Sequence, residues 1–513
     1  MQNAIGRDIP DEIAGRTLQP YQGAFATRPT GRHYSPPLKS MYPGDTKLLG
    51  SIGEAIKKTG IEDGDAISFH HHMRNGDAVV NLVVHELARM GIKDITLVPS
   101  ALFPVHESLI QYIKDGVVSA IHGSMNGPVG AFVSQGGKLK EPNVLRSHGG
   151  RARALASGDL HVDVAFLAAP IADDYGNCNG CMGESAFGAM GFPYADAMYA
   201  DRVVVVTDNI QPYPVTPVSI SQTWVDYVVE VDSIGNPSGI KTGTMQITRS
   251  PSRLLMAEHV VKLFAEMGIL TDGFAFQAGA GGTSLAVTKF LHDYMRQHGI
   301  VGNFVMGGVT GFVVDMLEDG TINAILDAQS FDLKAAESLR TNMAHMEVSH
   351  VMFGDPHTGG CIVDRQDACF LGATEVDVNF NVNVNTHSDG MLLHGIGGHQ
   401  DAASGSDVTV ILAPLIRGRI PVVRERVTTI STPGDVVDVI VTDRGIAINP
   451  AREDLLAKVQ GSELDILNIE TLQKEAERLC GTPKQPNLGD DIIALTEYRD
   501  GTMLDVVYSV NGW

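Results

Sequence analysis

Short apolar runs bounded by turn residues recur through the first part of the chain, at Ala66 to Phe69, Ile95 to Val98, Val117 to Ile121, Val162 to Ala168 and Arg202 to Val206, with amphipathic stretches between several of them. Such runs predict strands joined by crossover helices, hence a parallel sheet. The cycle restarts after the Pro-bearing link at Ser250-Pro251: a helix is expected through Arg253 to Met267, then strands at Gly273 to Gln277, Asn303 to Met306, Ala324 to Ala328, Ser349 to Phe353 and Val408 to Leu412. The expectation is an α/β chain of two tandem open domains with mainly parallel sheets, 45–247 and 248–513, meeting near residues 245 to 250. Ahead of them, 1–44 reads as an extended arm carrying Pro20, Pro29, Pro36, Pro37 and Pro43, wrapped on the body or on a partner subunit. Beyond Arg424 a β-rich excursion is expected, and Glu463 to Cys480 reads as a helix.

One stretch departs from this rhythm. From Val376 to Asn385 apolar and polar residues alternate strictly, which predicts a strand with one polar face made almost wholly of Asn379, Asn381, Asn383 and Asn385. Asn is a poor strand former, so these amides are expected to bond something specific. The run leads into Gly395-Ile396-Gly397-Gly398, where absent Cβ atoms let backbone N–H groups approach an anion. Fixed donors of this kind stabilise an acyl-transfer oxyanion, one donor being worth roughly 3 to 4 kcal/mol of barrier. The alternative is an Asn-rich edge strand followed by a flexible hairpin.

Other polar clusters fall at predicted strand ends, where open sheets collect ligands. Gly279-Ala280-Gly281-Gly282 precedes a helix expected to start near Thr283 or Ser284, a geometry suited to phosphate or a pantetheine-like arm; its match to a dinucleotide fingerprint is incomplete. Gly307-Gly308 is either a tight turn or a substrate wall. His70, His71 and His72 alternate in direction if extended, so a metal site is the minority reading, with Arg74 and Asn75 beside them as anion donors. Arg146, Arg151 and Arg153 crowd a segment broken by Gly149 and Gly150, read as a basic loop that is either solvated or a polycarboxylate pocket. His387, His394 and His399 are the titratable groups near the principal turn.

Composition narrows the function classes. A formal net charge of −22 argues against nucleic acid or an anionic membrane as partner. The opening MQNAIGRDIPDEIAGR lacks a basic segment followed by an apolar core, and no long apolar window occurs, so a cytoplasmic location is expected. Five cysteines in 513 residues form no disulfide framework, and Cys178-x-x-Cys181 has no second matching pair to complete a zinc site.

With these segments in view, the chain resembles the CoA-transferase superfamily, and most closely its citrate lyase alpha-chain family. The resemblance is carried by SFHHHMRNGD, HGSMNGPVG, VLRSHGG, FQAGAGGTSLAV, FVMGGVTGFVVDMLEDG and VNTHSDGMLLHGIGGHQD, spread over essentially the whole chain. It implies two CoA-transferase-like (NagB/RpiA-like) α/β domains and a transferase that exchanges the acetyl group of an acyl-carrier-protein or CoA thioester for citrate. It further implies no covalently bound cofactor and no metal, the CoA-like prosthetic arm being supplied by the carrier protein (gamma), with acetyl-CoA as surrogate. The lyase (beta) subunit and a homo-oligomer are the remaining implied partners. Related acetate and 4-hydroxybutyrate transferases carry a glutamate nucleophile where this chain has Asn385-Thr386-His387-Ser388-Asp389, with no Glu between Glu375 and Arg417. An acyl-glutamyl route is therefore not expected, and a ternary complex with a mixed anhydride is implied. On that reading Gly397 and Gly398 are the oxyanion donors, and Asn383, Asn385 and His387 orient the reacting carboxyl. Gly279, Gly281, Gly282, Gly307, Gly308 and Gly395 face the prosthetic arm, while His71, His72, Arg74, Asn75, Arg146 and Arg151 receive the remaining carboxylates of citrate. Rival readings are a thioester hydrolase, a transferase for another acid such as citramalate, and a non-catalytic scaffold.

Overall fold

A computed structural model describes residues 1–26, 46–240, 246–279 and 281–511. Much of the expected arm, including Pro29, Pro36, Pro37 and Pro43, lies outside the described residues.

Seven strands form the first sheet: β1 (Leu48–Leu49), β2 (Ala66–Phe69), β3 (Ile95–Pro99), β4 (Val118–Ile121), β5 (Val164–Ala169), β6 (Arg202–Thr207) and β7 (Tyr227–Glu230). All pair in parallel, in the order β1-β7-β6-β5-β2-β3-β4. Their short apolar runs are buried: every residue of β5 is core. Eight strands form the second sheet: β8 (Phe276–Ala278), β9 (Gly302–Val309), β10 (Ile322–Ser330), β11 (His345–Glu347), β12 (Ala368–Gly372), β13 (Val408–Leu412), β14 (Val439–Thr442) and β15 (Gly445–Ile448). Their order is β11-β10-β9-β8-β12-β13-β14-β15, parallel except for the terminal β14–β15 hairpin. The fold is thus α/β with mainly parallel sheets, each wrapped around its own apolar cluster.

A third sheet ties distant parts of the chain together. The hairpin β16 (Leu488–Glu497) and β17 (Met503–Val510) adds Asn143–Leu145 as a parallel neighbour of β16. The described N-terminal residues pack here too, with Ile9 and Leu18 buried against Val144, Leu495 and Met503.

Three local expectations fail, each for a physical reason. Residues 146–153 are not a loop: helix α1 (His148–Ser157) starts there, because Ser147 Oγ accepts the Gly150 N–H as an N-cap. In the same way Ser349 caps a short helix, α2 (His350–Gly354), where a strand was expected. The Asn run is not one strand but a tight hairpin, Glu375–Asp377 against Val382–Asn383, turned by Phe380 at φ 64°. Its turn is built by Asp377, whose Oδ1 accepts the N–H groups of Asn379 (2.9 Å) and Asn381 (3.1 Å).

At the end of β16, Glu497 is wholly buried among arginines. Arg146 donates through Nε (2.8 Å) and a terminal nitrogen (3.1 Å), Arg153 at 2.9 Å, and the partly exposed Arg16 at 2.9 Å. These donors hold its carboxyl at about 2 although burial pushes it the other way. Replacing Glu497 by Ala leaves Arg146 and Arg153 buried beside a lost counter-charge, and urea unfolding should show a loss of about 3 to 5 kcal/mol. Arg16→Ala, at the exposed edge of the same cluster, should cost about 1 kcal/mol or less.

Candidate functional site

A cleft of about 530 Å³ opens at the carboxyl ends of β8, β9, β10 and β12, walled by α1, α2 and the segment 393–399. The principal glycine turn forms part of its lining. Gly397 has φ 66°, a left-handed conformation that L side chains adopt at a cost, and a Cβ on Gly398 would sit 2.9 Å from Phe353 Cζ. Neither the Gly397 nor the Gly398 amide donates to another group among the described residues. The Gly397 carbonyl, by contrast, accepts the His148 N–H at 2.9 Å, which fixes the peptide plane of the turn.

The helices that hold this turn meet at a buried carboxylate. Asp401, in helix α3 (His399–Gly405), accepts from Ser147 Oγ (2.8 Å) and the Gly149 N–H (2.9 Å), with Arg499 Nε at 3.5 Å. Burial pushes the Asp401 carboxyl up to about 6, while Arg499 and the two donors pull the other way.

A layer of neutral imidazoles lines the wall. His148 packs edge-on against Phe192 (4.4 Å) and His350 (4.8 Å), and His71 against Phe192 (4.5 Å). Burial holds His71 and His350 down at about 3, His70 and His399 at about 4, and His72 and His148 well below the ordinary histidine range. His399 is fixed at both nitrogens, by Thr432 Oγ1 (2.8 Å) and the Gly372 carbonyl (3.1 Å).

Of the residues predicted from sequence, the structure brings together at the cleft Gly279, Gly281, Gly307, Gly308, Gly395, Gly397 and Gly398. Gly282 opens the helix Gly282–His298 just beyond it, and Ala280 lies outside the described residues. The amides turn inward. Asn383 Nδ2 donates to Glu375 Oε2 (3.0 Å) and Thr386 Oγ1 (3.0 Å), and Asn385 Nδ2 to the His394 carbonyl (3.0 Å), so both shape the approach to the turn and neither lines the cleft. His387 and Asp389 are exposed, away from it.

The expected carboxylate-binding arginines are committed elsewhere. Arg146 belongs to the Glu497 cluster, and Arg151 grips Asp196 with two 2.7 Å bonds. Arg74, at φ 50°, donates to the Ser330 carbonyl (2.8 Å) and lies 4.6 Å over the Phe331 ring, a wall of the cleft. Asn75 accepts the Val105 N–H (3.0 Å) beside a separate cavity. His71 bonds Ser100 Oγ (2.6 Å), and His72 shares an Nδ1 to Nδ1 bond with His70 (2.8 Å), stacked on Phe187. What sequence reasoning missed are His148, His350, Gln277, Gln329 and Arg417, all lining the cleft. The signals were present: two serines placed three residues ahead of their capped amides, and a Gln two residues before the first glycine turn.

Cys178 and Cys181 are buried, and burial raises both thiols, Cys181 to about 11, so neither is a thiolate at neutral pH. Among the described residues, the group of side chains close enough to share a metal is His161, Asp163 and Asp201, at the surface. No described helix is long and apolar enough to cross a membrane.

Comparison with known proteins adds a family. The model for the citrate lyase alpha subunit (CitF) matches residues 45–510. Citrate lyase alpha chains of Klebsiella pneumoniae and Escherichia coli K12 are 45% and 43% identical to the chain, covering 90% and 91% of it and 91% of each relative. A Streptococcus mutans protein, whose crystal structure is described as an alpha subunit of citrate lyase in complex with citrate, superposes at TM-score 0.96 with 46% identity over all of both chains. The alpha subunit of an Acinetobacter baumannii malonate decarboxylase, 16% identical at TM-score 0.64, covering 85% of this chain and 88% of its own, shares the fold alone.

The imidazole layer makes stability depend on acid in a definite direction. Between about 6.5, where these histidines titrate in an unfolded chain, and their depressed folded values, the unfolded state binds more protons, so stability falls as pH falls. Asp401, raised by folding, acts oppositely, as do other carboxyls that burial raises, among them Glu347, Asp377, Asp438 and Asp505, but the histidines, titrating from about 6.5 in the unfolded chain, act first as pH falls. Thermal melts from pH 7.5 to 4.5 should therefore show a midpoint declining steadily below about pH 6.5, and a midpoint flat across that range would contradict the neutral layer.

Proposed function

The chain belongs to the citrate lyase alpha subunit family, and from that membership we propose that it exchanges the acetyl group of an acyl-carrier-protein thioester for citrate, without an acyl-enzyme intermediate. Citryl thioester and acetate are the products, and the carrier protein supplies the CoA-like arm. The observation that carries the route is the lining of the cleft: among the described residues it holds no carboxylate, thiol or lysine that could serve as the nucleophile.

The nucleophile must then come with a substrate. A citrate carboxylate oxygen attacks the acetyl carbonyl, the C–S bond breaks, and the carrier thiolate leaves with its electron pair, giving a citryl acetyl anhydride. That thiolate next attacks the citryl carbonyl and acetate departs. One thioester is replaced by another, so no ATP is consumed. Both steps pass through an oxyanion, and the unpartnered Gly397 and Gly398 amides are positioned to receive one. The glycine-lined ends of β8 and β9, with Gly281 beside them, leave room for the thioester arm.

Several partners follow from the same reading: a lyase subunit to cleave the citryl thioester, the carrier protein to deliver it, and a homo-oligomeric alpha assembly. An acceptor panel that includes citramalate belongs in the test.

Purified chain with acetyl-CoA and citrate should form citryl-CoA and acetate without ATP, faster than it hydrolyses acetyl-CoA in water alone. Hydroxylamine should trap no enzyme carboxyl, and a labelled Asp or Glu would refute the ternary complex. Gly398→Val, which forces a side chain against Phe353, should lower kcat by about a hundredfold or more if an oxyanion donor is displaced. Unchanged turnover would favour the scaffold reading.

A further inference from the structure

The cleft receives a polycarboxylate, on the exchange reading above, yet its lining is almost uncharged. Among the described residues the only formal charge there is Arg417, exposed at the edge and donating to the Ala373 carbonyl at 2.9 Å. What stands at the glycine turn is an imidazole. His148 Nε2 lies 3.9 Å from where a Cβ of Gly397 would be, and its Nδ1 lies 3.7 Å from that of Gly398. The ring cannot swing far, being held by Phe192 and His350 and faced by Phe353 at 6.5 Å. Neither ring nitrogen has a hydrogen-bond partner among the described residues, and the half-buried ring meets the cleft.

We propose that His148 is a substrate-contacting residue of the transferase step, donating a hydrogen bond from its ring to the citrate carboxyl that reacts at the Gly397–Gly398 turn. The chemistry favours a neutral donor at this place. A guanidinium would hold the carboxylate in a strong charge-assisted pair and lower its nucleophilicity in the ground state, whereas a neutral N–H orients it at less cost to reactivity. The surrounding groups keep the ring in that form: His71, His350 and Arg151 all oppose a second proton, and burial does so most. Placement is rigid as well, since the His148 backbone N–H bonds the Gly397 carbonyl, so donor and oxyanion amides move as one unit.

The test is steady-state exchange between acetyl-CoA and citrate by the full chain carrying His148→Phe, which keeps the ring packing and removes both nitrogens, and His148→Asn, which restores a donor. With a melting midpoint near that of the wild type, His148→Phe should raise KM for citrate or lower kcat by about ten- to a hundredfold, leave KM for acetyl-CoA within about twofold, and be partly rescued in His148→Asn. A folded His148→Phe with kcat and citrate KM both within about twofold of wild type overturns the inference, as does a parallel rise of both KM values. Failure of both variants to fold assigns the residue to the core alone and overturns it too. If the wild-type chain itself catalyses no exchange, the exchange reading fails instead, and calorimetry then decides: citrate bound by wild type and not by His148→Phe supports the contact, and equal binding overturns it.

Discussion

Two buried carboxylates, Asp401 in α3 and Glu497 at the end of β16, grip one ten-residue helix, and the cleft depends on that grip. Asp401 takes the donors of the first turn of α1, from Ser147 and Gly149. Glu497 takes Arg146 just before it and Arg153 further along. Because the His148 N–H reaches the Gly397 carbonyl, any slip of α1 against α3 would rotate the glycine turn that lines the cleft. The interactions are of the expensive kind: charges with no access to water, stable only while every partner is in place. Such a joint tolerates little motion, which suits a site that works by placing preformed donors.

The same joint explains where the arginines went. A chain of net charge −22 has few cations to spare, and three of the most conspicuous are used to hold elements together. Among the described residues the cleft is left with one formal charge, Arg417 at its edge. Amides, imidazoles and backbone N–H groups can stabilise a charge that shifts from one oxygen to another during reaction, without tying any single form of the substrate down. The negative exterior repels anionic substrate at long range, so entry relies on short-range donors once ions have screened the field beyond roughly 8 to 10 Å.

The architecture was legible because its cause is local. Apolar runs such as Val162 to Ala168 can hardly be placed anywhere but in a doubly covered strand, and they are. The glycine turns were legible for the same reason: absence of a side chain constrains what can stand beside it. The amide run at 376–385 misled because period-two alternation does not reveal a turn at its centre, and Phe380, an unfavoured residue for a left-handed position, gave no warning. Arg146 and Arg151 misled because their partners, Glu497 and Asp196, are joined to them only by the tertiary fold. His148 and His350 were hidden behind their caps: once Ser147 and Ser349 are read as helix starts, each histidine falls at the first helical position, facing the strand ends.

The parallel pairing of β16 with Asn143–Leu145 has a consequence in time as well as in space. Arg146 and Glu497 are separated by 351 positions, and the strand that carries Glu497 is among the last described elements of the chain. During synthesis from the N-terminus, the first sheet can gather its apolar cluster while α1 still lacks both of its anchors. Until residues near 499 have left the ribosome, Arg146 and Arg153 lack Glu497 and Asp401 lacks Arg499. The joint that holds α1 is therefore completed late, by the closing of a loop of 351 positions.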